Sequence, residues 1–455
     1  MERTMIGNLR QVIGQKVQIR GFLQTLRDQK KMQFLIIRDT TGLVQAAFWK
    51  PSDLALAELI STLTAETAVT ITGTVVDNPV VKLGGLEVQL ETLAVENLAG
   101  AQLPLDPFAE ALPAIDIRMD WRYLDLRRPF NLLLFKVQTL AEMAMREYWL
   151  KTGFVEIHTP KLMGAPSESG AELFEVEYFD RKAYLAQSPQ FYKQMAMAAG
   201  FDRVFEIGPV FRADPSFTSR HMTEFTGVDM EMSWVDSHED VMAFMERWLQ
   251  YIYQRVSDVY GAEIREVMGH EVIVPSLPFP RIPMAEAIEI LKGRGYTLPA
   301  DKKGDIDPAG EREIGAYVQE KYGHEFVFLT DWPISVRPFY HMRHPDNPNL
   351  TRSFDLLATG LEITTGAQRE HRYERLRSQA QERGLGDPPA GRAAPVDRPV
   401  AREIDGRLAV RHEEVEKGRE HRRAPLHAQP PRRRHGEHPG RRAGHPFGRV
   451  GVGGG

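Results

Sequence analysis

The stretch Arg203-Val-Phe-Glu-Ile-Gly-Pro-Val-Phe-Arg-Ala-Asp214, followed after a polar loop by Arg220-His-Met-Thr-Glu-Phe225, reads as two strands with an arginine at the mouth of their connection. In the second strand Phe225, Asp229 and Glu231 alternate onto one face, and Val228, Met230, Met232 and Trp234 onto the other. The apolar face is expected against a core and the polar face beside Arg212. A guanidinium grips a phosphate through parallel charge-assisted hydrogen bonds, and the Phe225 ring offers a flat surface for a base. Together they describe a pocket for a nucleoside triphosphate. It uses no phosphate-cradling glycine loop, and the chain has no Gly-x-x-x-x-Gly-Lys-[Ser/Thr] segment. Taken alone, the pattern fits an ordinary amphipathic hairpin equally well.

A second hairpin adds to it. Phe354-Asp-Leu-Leu-Ala-Thr-Gly-Leu-Glu-Ile-Thr-Thr-Gly-Ala-Gln-Arg369 places its turn near Ala358–Gly360, so that Asp355 and Glu362 face one another across two strands. Paired carboxylates repel unless a cation lies between them, and hard oxygen ligands suit Mg²⁺ shared with substrate phosphates. A solvated surface pair is the alternative. Lys193 and Arg369 form a third group: two cations converging on one pocket imply an anionic ligand, and a planar guanidinium favours a carboxylate. Glu168, in the loop Gly164-Ala-Pro-Ser-Glu-Ser-Gly170, is placed to pair with an ammonium. One anionic and two cationic contacts fit an acidic amino acid.

The chain has 455 residues, no cysteine and a formal charge of -5, with a net basic tail on an otherwise acidic body. Disulfides and thiolate metal sites are excluded. The charged start, Met1-Glu-Arg-Thr, leads into no apolar run, and nothing approaches the roughly 20 apolar residues of a bilayer span. The expectation is a soluble cytoplasmic protein of two or three domains with no membrane association.

Residues 1–102 read as a small closed β-barrel. Val17, Ile19 and Gly21 alternate with Lys16, Gln18 and Arg20; Phe34–Arg38 and Leu43–Phe48 flank the turn Asp39–Gly42; further β-rich runs follow at Ala68–Val76 and Leu86–Leu93. The OB-fold is the nucleic-acid-binding example of such a barrel, a ligand-free barrel being the alternative. A Pro-rich linker over 103–130 precedes a helix from about Asn131, with Val137, Leu140, Ala141, Ala144 and Tyr148 at helical spacing and Gly153 as its C-terminal cap. Ser188 as N-cap and Pro189 as first helical residue open a second helix that ends at Gly200; Gln190 and Lys193 share one face, and Phe191 and Met195 form its apolar side. A third starts at Ser237 with Asp240 in the capping-box position, its stripe of Val241, Phe244, Met245, Trp248, Leu249, Ile252 and Val256 read as core packing. Residues 387–455, rich in Arg, His, Pro and Gly and poor in large apolar side chains, are expected to be a disordered tail.

With these residues on the page, the chain resembles a known family. Gly153-Phe-Val-Glu-Ile-His-Thr-Pro160 resembles motif 1 of the class II aminoacyl-tRNA synthetases, and Phe211-Arg212 with its flanking strands resembles motif 2. Gln187-Ser-Pro-Gln-Phe-Tyr-Lys-Gln194 and Gly366-Ala-Gln-Arg369 narrow the likeness to the aspartyl-tRNA synthetases of the shorter, archaeal type. The barrel, with Gly21, Phe34, Arg38-Asp39 and Gln45, is similar to that family's anticodon-binding domain. The likeness covers roughly residues 1–386.

The resemblance implies an α+β architecture: an N-terminal OB-fold barrel and, over 131–386, a class II catalytic domain with an antiparallel sheet flanked by helices. It implies that Glu168, Gln190, Lys193, Thr365 and Arg369 hold L-aspartate, with Arg212 touching its carboxylate and acting on the α-phosphate as the catalytic residue. Asp214 and Phe225 would hold the adenine and Arg220 and His221 the γ-phosphate, with Met222 completing the ATP site. Asp355 and Glu362 would carry Mg²⁺, while Phe34 and Gln45 read the anticodon of tRNA(Asp), and of tRNA(Asn) if both are accepted. Family members are homodimers. One departure stands out: the family's Gly-Leu-Gly-x-Glu-Arg segment, motif 3, is missing, and the likeness gives way to the Arg/His/Pro/Gly tail. An out-of-frame tail is the expectation. The open alternatives are an asparaginyl-tRNA synthetase and a catalytically silent RNA-binding paralogue.

Overall fold

A computed structural model describes residues 1–100, 102–164, 173–214, 222–299 and 304–385. The expected tail therefore lies outside the described residues, as do Glu168, Arg220 and His221. The chain divides into two units. One comprises Met1–Val155, Val235–Trp332 and Ser353–Gly366; the other comprises Glu156–Trp234, Pro333–Arg352 and the chain from Ala367 onward.

The first unit begins with the barrel. Strands β1 (Lys16–Asp28), β2 (Met32–Asp39), β3 (Gly42–Trp49), β4 (Ala68–Asp77) and β5 (Leu86–Asn97) close in the order β1-β2-β3-β5-β4. Alternation sends Val17, Ile19, Leu35, Ile37, Val44, Ala46, Val69 and Ile71 inward, where they are buried in one cluster. Gly21 is required where β1 crosses β2: a Cβ there would lie 2.3 Å from the Arg38 carbonyl oxygen. The turn after β2 is tied by Asp39, whose carboxylate accepts from the Thr41 amide at 2.7 Å and the Ile6 amide at 2.8 Å.

The barrel is riveted to the connector that follows it. Arg38 donates both guanidinium ends to Glu66 at 3.0 and 2.8 Å, and Arg127 bonds the same carboxylate from the connector side. The Arg38 guanidinium lies 4.6 Å from the Phe108 ring, and that of Arg127 lies 4.3 Å from Phe22.

Helix Pro129–Lys151 starts two residues before the expected position because Pro129 supplies the first turn. Gly153 follows it at φ +83°. The capping box at Ser237 forms as its sequence predicts and opens helix His238–Met268. The two helices pack through stacked Trp149 and Trp248, with ring centroids 4.8 Å apart. The apolar side chains buried on the second helix are Met242, Phe244, Met245, Trp248, Leu249, Ile252, Val256 and Ile264, with His238 and Glu246 buried beside them; Val241 is only half-buried.

A four-stranded sheet completes this unit. Phe326–Thr330 runs parallel to Arg281–Pro283 and antiparallel to Ser353–Ala358, which turns into Leu361–Ala367. Thr359 and Gly360 make the turn at φ +48° and +76°. A Cβ at Gly360 would meet the Arg312 Cα at 2.7 Å, so the turn lies directly against helix Pro308–Tyr322.

The second unit is built on the hairpin Arg203–Phe211/Glu224–Met232, paired without a slip from Arg203↔Met232 to Phe211↔Glu224. The motif segment before it is anchored to the first strand: Ile157 donates its amide to Phe205 at 2.9 Å. Buried Glu206 accepts from the Thr159 amide at 2.8 Å and its hydroxyl at 2.7 Å, and pairs with Lys161 at 3.0 Å.

The expected apolar core face of the second strand is corrected here. Val228 is 41% exposed on the edge strand, and Trp234 is 90% exposed because it lies beyond that strand's end at Met232, at φ +58°. The buried side chains on that face are Phe205 and Ile207 of the first strand, opposite Met230 and Val228. Helix Gln190–Ala198 also differs from expectation. Pro189 is its N-cap, while the Ser188 hydroxyl still accepts from the Gln190 amide at 3.3 Å. Phe191 and Met195 are only half-buried, and the fully buried side chain is Lys193.

Candidate active site

A lysine becomes the most buried side chain of an amphipathic helix only if its charge is met. The hairpin meets it. Register and alternation put Phe225, Asp229 and Glu231 on one face of the second strand. From helix Gln190–Ala198 the Lys193 ammonium donates to Asp229 at 2.8 Å and to the Met230 carbonyl at 3.2 Å, with Glu231 at 3.4 Å. Gln190, one turn earlier, donates to Glu231 at 3.2 Å. Burial works to lower the basicity of Lys193, but the Asp229 and Glu231 carboxylates outweigh it and hold the group above its usual value; Arg369 acts with burial. The pocket thus pairs two cations with two carboxylates. The sequence pointed to the cations as the ligand's partners and to Asp229 and Glu231 only as a polar face. Their pairing with Lys193 depends on a helix and a strand that no local pattern joins.

Arg369 is held from the side opposite its donors. Its guanidinium lies 4.7 Å from the Tyr340 ring, and its backbone bridges that of His341. A cation stacked on a ring keeps its in-plane N–H groups available. His341 is buried, and its ordinary pKa of 6.5 is pushed down to about 3 by burial first and then by the Arg369 and Arg337 charges. The imidazole beside the arginine is therefore neutral. Neither Tyr340 nor His341 carries a sequence signal beyond an aromatic pair in a loop.

Arg212 continues the hairpin ladder by one residue, donating its amide to the Thr223 carbonyl at 2.9 Å. Its guanidinium lies 5.7 Å from the Phe225 ring, and both side chains are open to solvent. The expected pair of phosphate grip and stacking ring is therefore together at the mouth of the hairpin. Asp214 is half-buried and Met222 64% exposed nearby in sequence.

In the first unit, Asp355 and Glu362 line one cavity of about 230 Å³. Asp355 is buried on the inner strand and Glu362 exposed on the outer one. The turn is the Thr359-Gly360 pair, within the expected span. Asp305 and Glu311 from the start of helix Pro308–Tyr322 join them on the cavity wall, with Leu329 and Trp332. These two acids lie far away in the chain, and no spacing rule pointed to them. Thr365, expected at the amino-acid site, is exposed and places its hydroxyl 3.4 Å from the Phe354 carbonyl.

On the barrel, Phe34↔Ala47 and Ile36↔Gln45 are cross-strand pairs, so Phe34 and Gln45 share the outer face of β2 and β3. Gln45 donates to Glu87 at 2.7 Å.

Among the described residues no helix is long and apolar enough to cross a membrane. Residues 114–393 match the family model described as tRNA synthetases class II (D, K and N), and residues 17–96 match that of the OB-fold nucleic acid binding domain. The aspartate–tRNA(Asp) ligase of Thermococcus kodakarensis is 41% identical over 373 residues, 82% of this chain and 84% of that protein. The aspartate–tRNA(Asp/Asn) ligase of Aeropyrum pernix is 40% identical over 385 residues, 84% of this chain and 86% of that protein. Among solved structures, asparaginyl-tRNA synthetase from Pyrococcus horikoshii complexed with asparaginyl-adenylate superposes with a TM-score of 0.75 at 31% identity, covering 85% of this chain and 88% of that one. An OB-fold barrel, the motif hairpin with its buried lysine and these likenesses agree: the chain belongs to the class II tRNA synthetases (D, K and N), in the archaeal-type aspartyl-tRNA synthetase family.

Proposed function

We propose that this chain is an aspartate–tRNA ligase, which activates L-aspartate with ATP and transfers it to tRNA(Asp). The observation that carries the reading is the buried Lys193 ammonium, held by Asp229 and Glu231 on the hairpin that also presents Arg212 and Phe225. The side-chain carboxylate of aspartate is bound by Lys193 and Arg369, and Gln190, Thr365 and Glu168 hold the rest of the amino acid. A side-chain carboxylate gives the Arg369 guanidinium an anionic partner that an amide does not, which favours aspartate over asparagine. The test is pyrophosphate exchange with aspartate against asparagine, in this chain and in a version with the Gly-Leu-Gly-x-Glu-Arg segment restored, then charging of tRNA(Asp) and tRNA(Asn) by both. Faster exchange with asparagine would overturn it.

The chemistry is positional and electrostatic. The aspartate α-carboxylate attacks the α-phosphorus of ATP in line and pyrophosphate leaves. Arg212 stabilises the charge that gathers on the phosphoryl oxygens and orients the carboxylate. Phe225 and Asp214 seat the adenine; Arg220, His221 and Met222 flank the phosphate tail. The terminal ribose hydroxyl of the tRNA then attacks the acyl-adenylate carbonyl and AMP leaves. Asp355 and Glu362, which line one cavity with Asp305 and Glu311, are the carboxylates that would hold Mg²⁺. When bound, Mg²⁺ neutralises charge on the triphosphate.

The domain division that goes with this reading is an anticodon-binding barrel over 1–102, a linker over 103–130, a catalytic domain over 131–386 and a tail beyond it. Homodimerisation in the cytoplasm is part of the proposal. Exposed Phe130, Leu134, Phe135, Met143 and Leu150, on the helix that leads into the motif 1 segment, support it. A second reading, an RNA-binding paralogue without activity, is favoured by one observation, the absence of any Gly-Leu-Gly-x-Glu-Arg in the sequence. Such a chain binds tRNA without exchanging pyrophosphate, and no reading frame of its gene holds the segment.

A further inference from the structure

The outer face of the barrel carries an exposed large aromatic that the proposed anticodon contacts leave unused. Trp49 closes β3 with 55% of its surface exposed. It pairs with Met32, while Phe34 pairs with Ala47, so Phe34 and Trp49 occupy diagonal positions on the same face. Diagonal neighbours on one face of a sheet stand about 7–8 Å apart. Arg27 pairs with Phe34 from the other side, and Lys30 and Lys31 form the β1–β2 turn beside Met32. Lys50 is already matched with Asp28, whose carboxyl is lowered to about 2 by its bonds to Lys50 and Ser61. Arg27, Lys30 and Lys31 add three exposed cations at this end of the face, beside the Asp28 carboxylate that Lys50 already holds.

From this geometry we infer that Trp49 is a second stacking platform, which takes the nucleotide adjacent to the one held on Phe34. The inference rests on the reading of Phe34 as an anticodon contact. The occupant is single-stranded RNA for two reasons. Successive bases of an open loop stack on successive aromatic side chains whatever their identity. The cations flanking the ring suit a phosphate backbone and give no anchor to an apolar peptide. The site continues an existing RNA face, and Trp49 lengthens its footprint by one nucleotide.

The test is binding of a synthetic anticodon stem-loop RNA of tRNA(Asp), followed by anisotropy, to wild type, Trp49→Ala, Trp49→Phe and Phe34→Ala. Each loop nucleotide is replaced in turn by an abasic one. Trp49→Ala should weaken binding about ten-fold and Trp49→Phe about two-fold at most, since base stacking tolerates a change of ring. One abasic position next to the Phe34-sensitive one should cost the wild type about ten-fold and cost Trp49→Ala nothing further. Wild-type affinity in Trp49→Ala, with Phe34→Ala impaired, overturns the inference and leaves the anticodon face standing. Wild-type affinity in both variants overturns the anticodon face itself.

Discussion

The Lys193 ammonium lies 2.8 Å from the Asp229 carboxylate, and that contact keeps a buried cation at the proposed amino-acid site. Lys193→Ala would leave the Asp229 and Glu231 carboxylates with Arg369 as the remaining cation of the cluster. It should lower stability by about 3 kcal/mol and abolish aspartate binding, read by urea denaturation and by calorimetry. The raised Lys193 group contributes stability that is fully present below its unfolded value of 10.5 and lost as pH rises through the higher folded one. Asp229→Asn should bring that alkaline loss to lower pH.

His341 sets an acid limit. Unfolded, it takes up a proton near pH 6.5; folded, only near 3. The unfolded state therefore binds more protons between those values, and stability falls as pH drops through this window. At about pH 5 the loss relative to neutral pH should be about 2 kcal/mol. His341→Gln, which has no proton to gain, should show a smaller difference in melting temperature between the two conditions. Equal pH dependence in both proteins would remove His341 from this account.

Gly360 cannot carry a side chain. Its φ of +76° is costly for any other residue, and an added Cβ would collide with the Arg312 backbone at 2.7 Å. Gly360→Ala should destabilise by about 2 kcal/mol and displace Glu362 from the cavity it shares with Asp355. The check is thermal unfolding together with Mg²⁺ titration.

Activity should separate from binding. Without a Gly-Leu-Gly-x-Glu-Arg segment, one side of the ATP site lacks its arginine, so this chain should bind tRNA(Asp) with little or no pyrophosphate exchange. Reading the coding nucleotides in the other frames should recover the segment. In the frame-restored protein Arg212→Ala should cost about 100- to 1,000-fold in exchange rate.

Legibility in the sequence followed the range of the interactions. The barrel strands were readable because alternation is a property of adjacent residues, as Val17 and Ile19 illustrate. The capping box at Ser237 spans three positions and was equally clear. The face shared by Phe225, Asp229 and Glu231 was readable for the same reason, but the burial of the opposite face was not. Val228 lies on an edge strand and Trp234 two residues past its end, and alternation alone reveals neither the strand's place in the sheet nor where it stops. Lys193 shows the same limit: a cation on a helix reads as surface until the carboxylates that meet it are known. Asp305 and Glu311 reach the Asp355 cavity through tertiary packing that no window along the chain contains.

Glu66 has one further consequence. Its carboxylate is gripped from the barrel by Arg38 and from the connector by Arg127, and each guanidinium lies over a ring, Phe108 or Phe22. Cutting the chain at residue 102 would strip away Phe108 and Arg127 and leave half of a buried charge cluster bare to water. A self-sufficient barrel fragment therefore ends beyond Arg127, at the threshold of the first long helix.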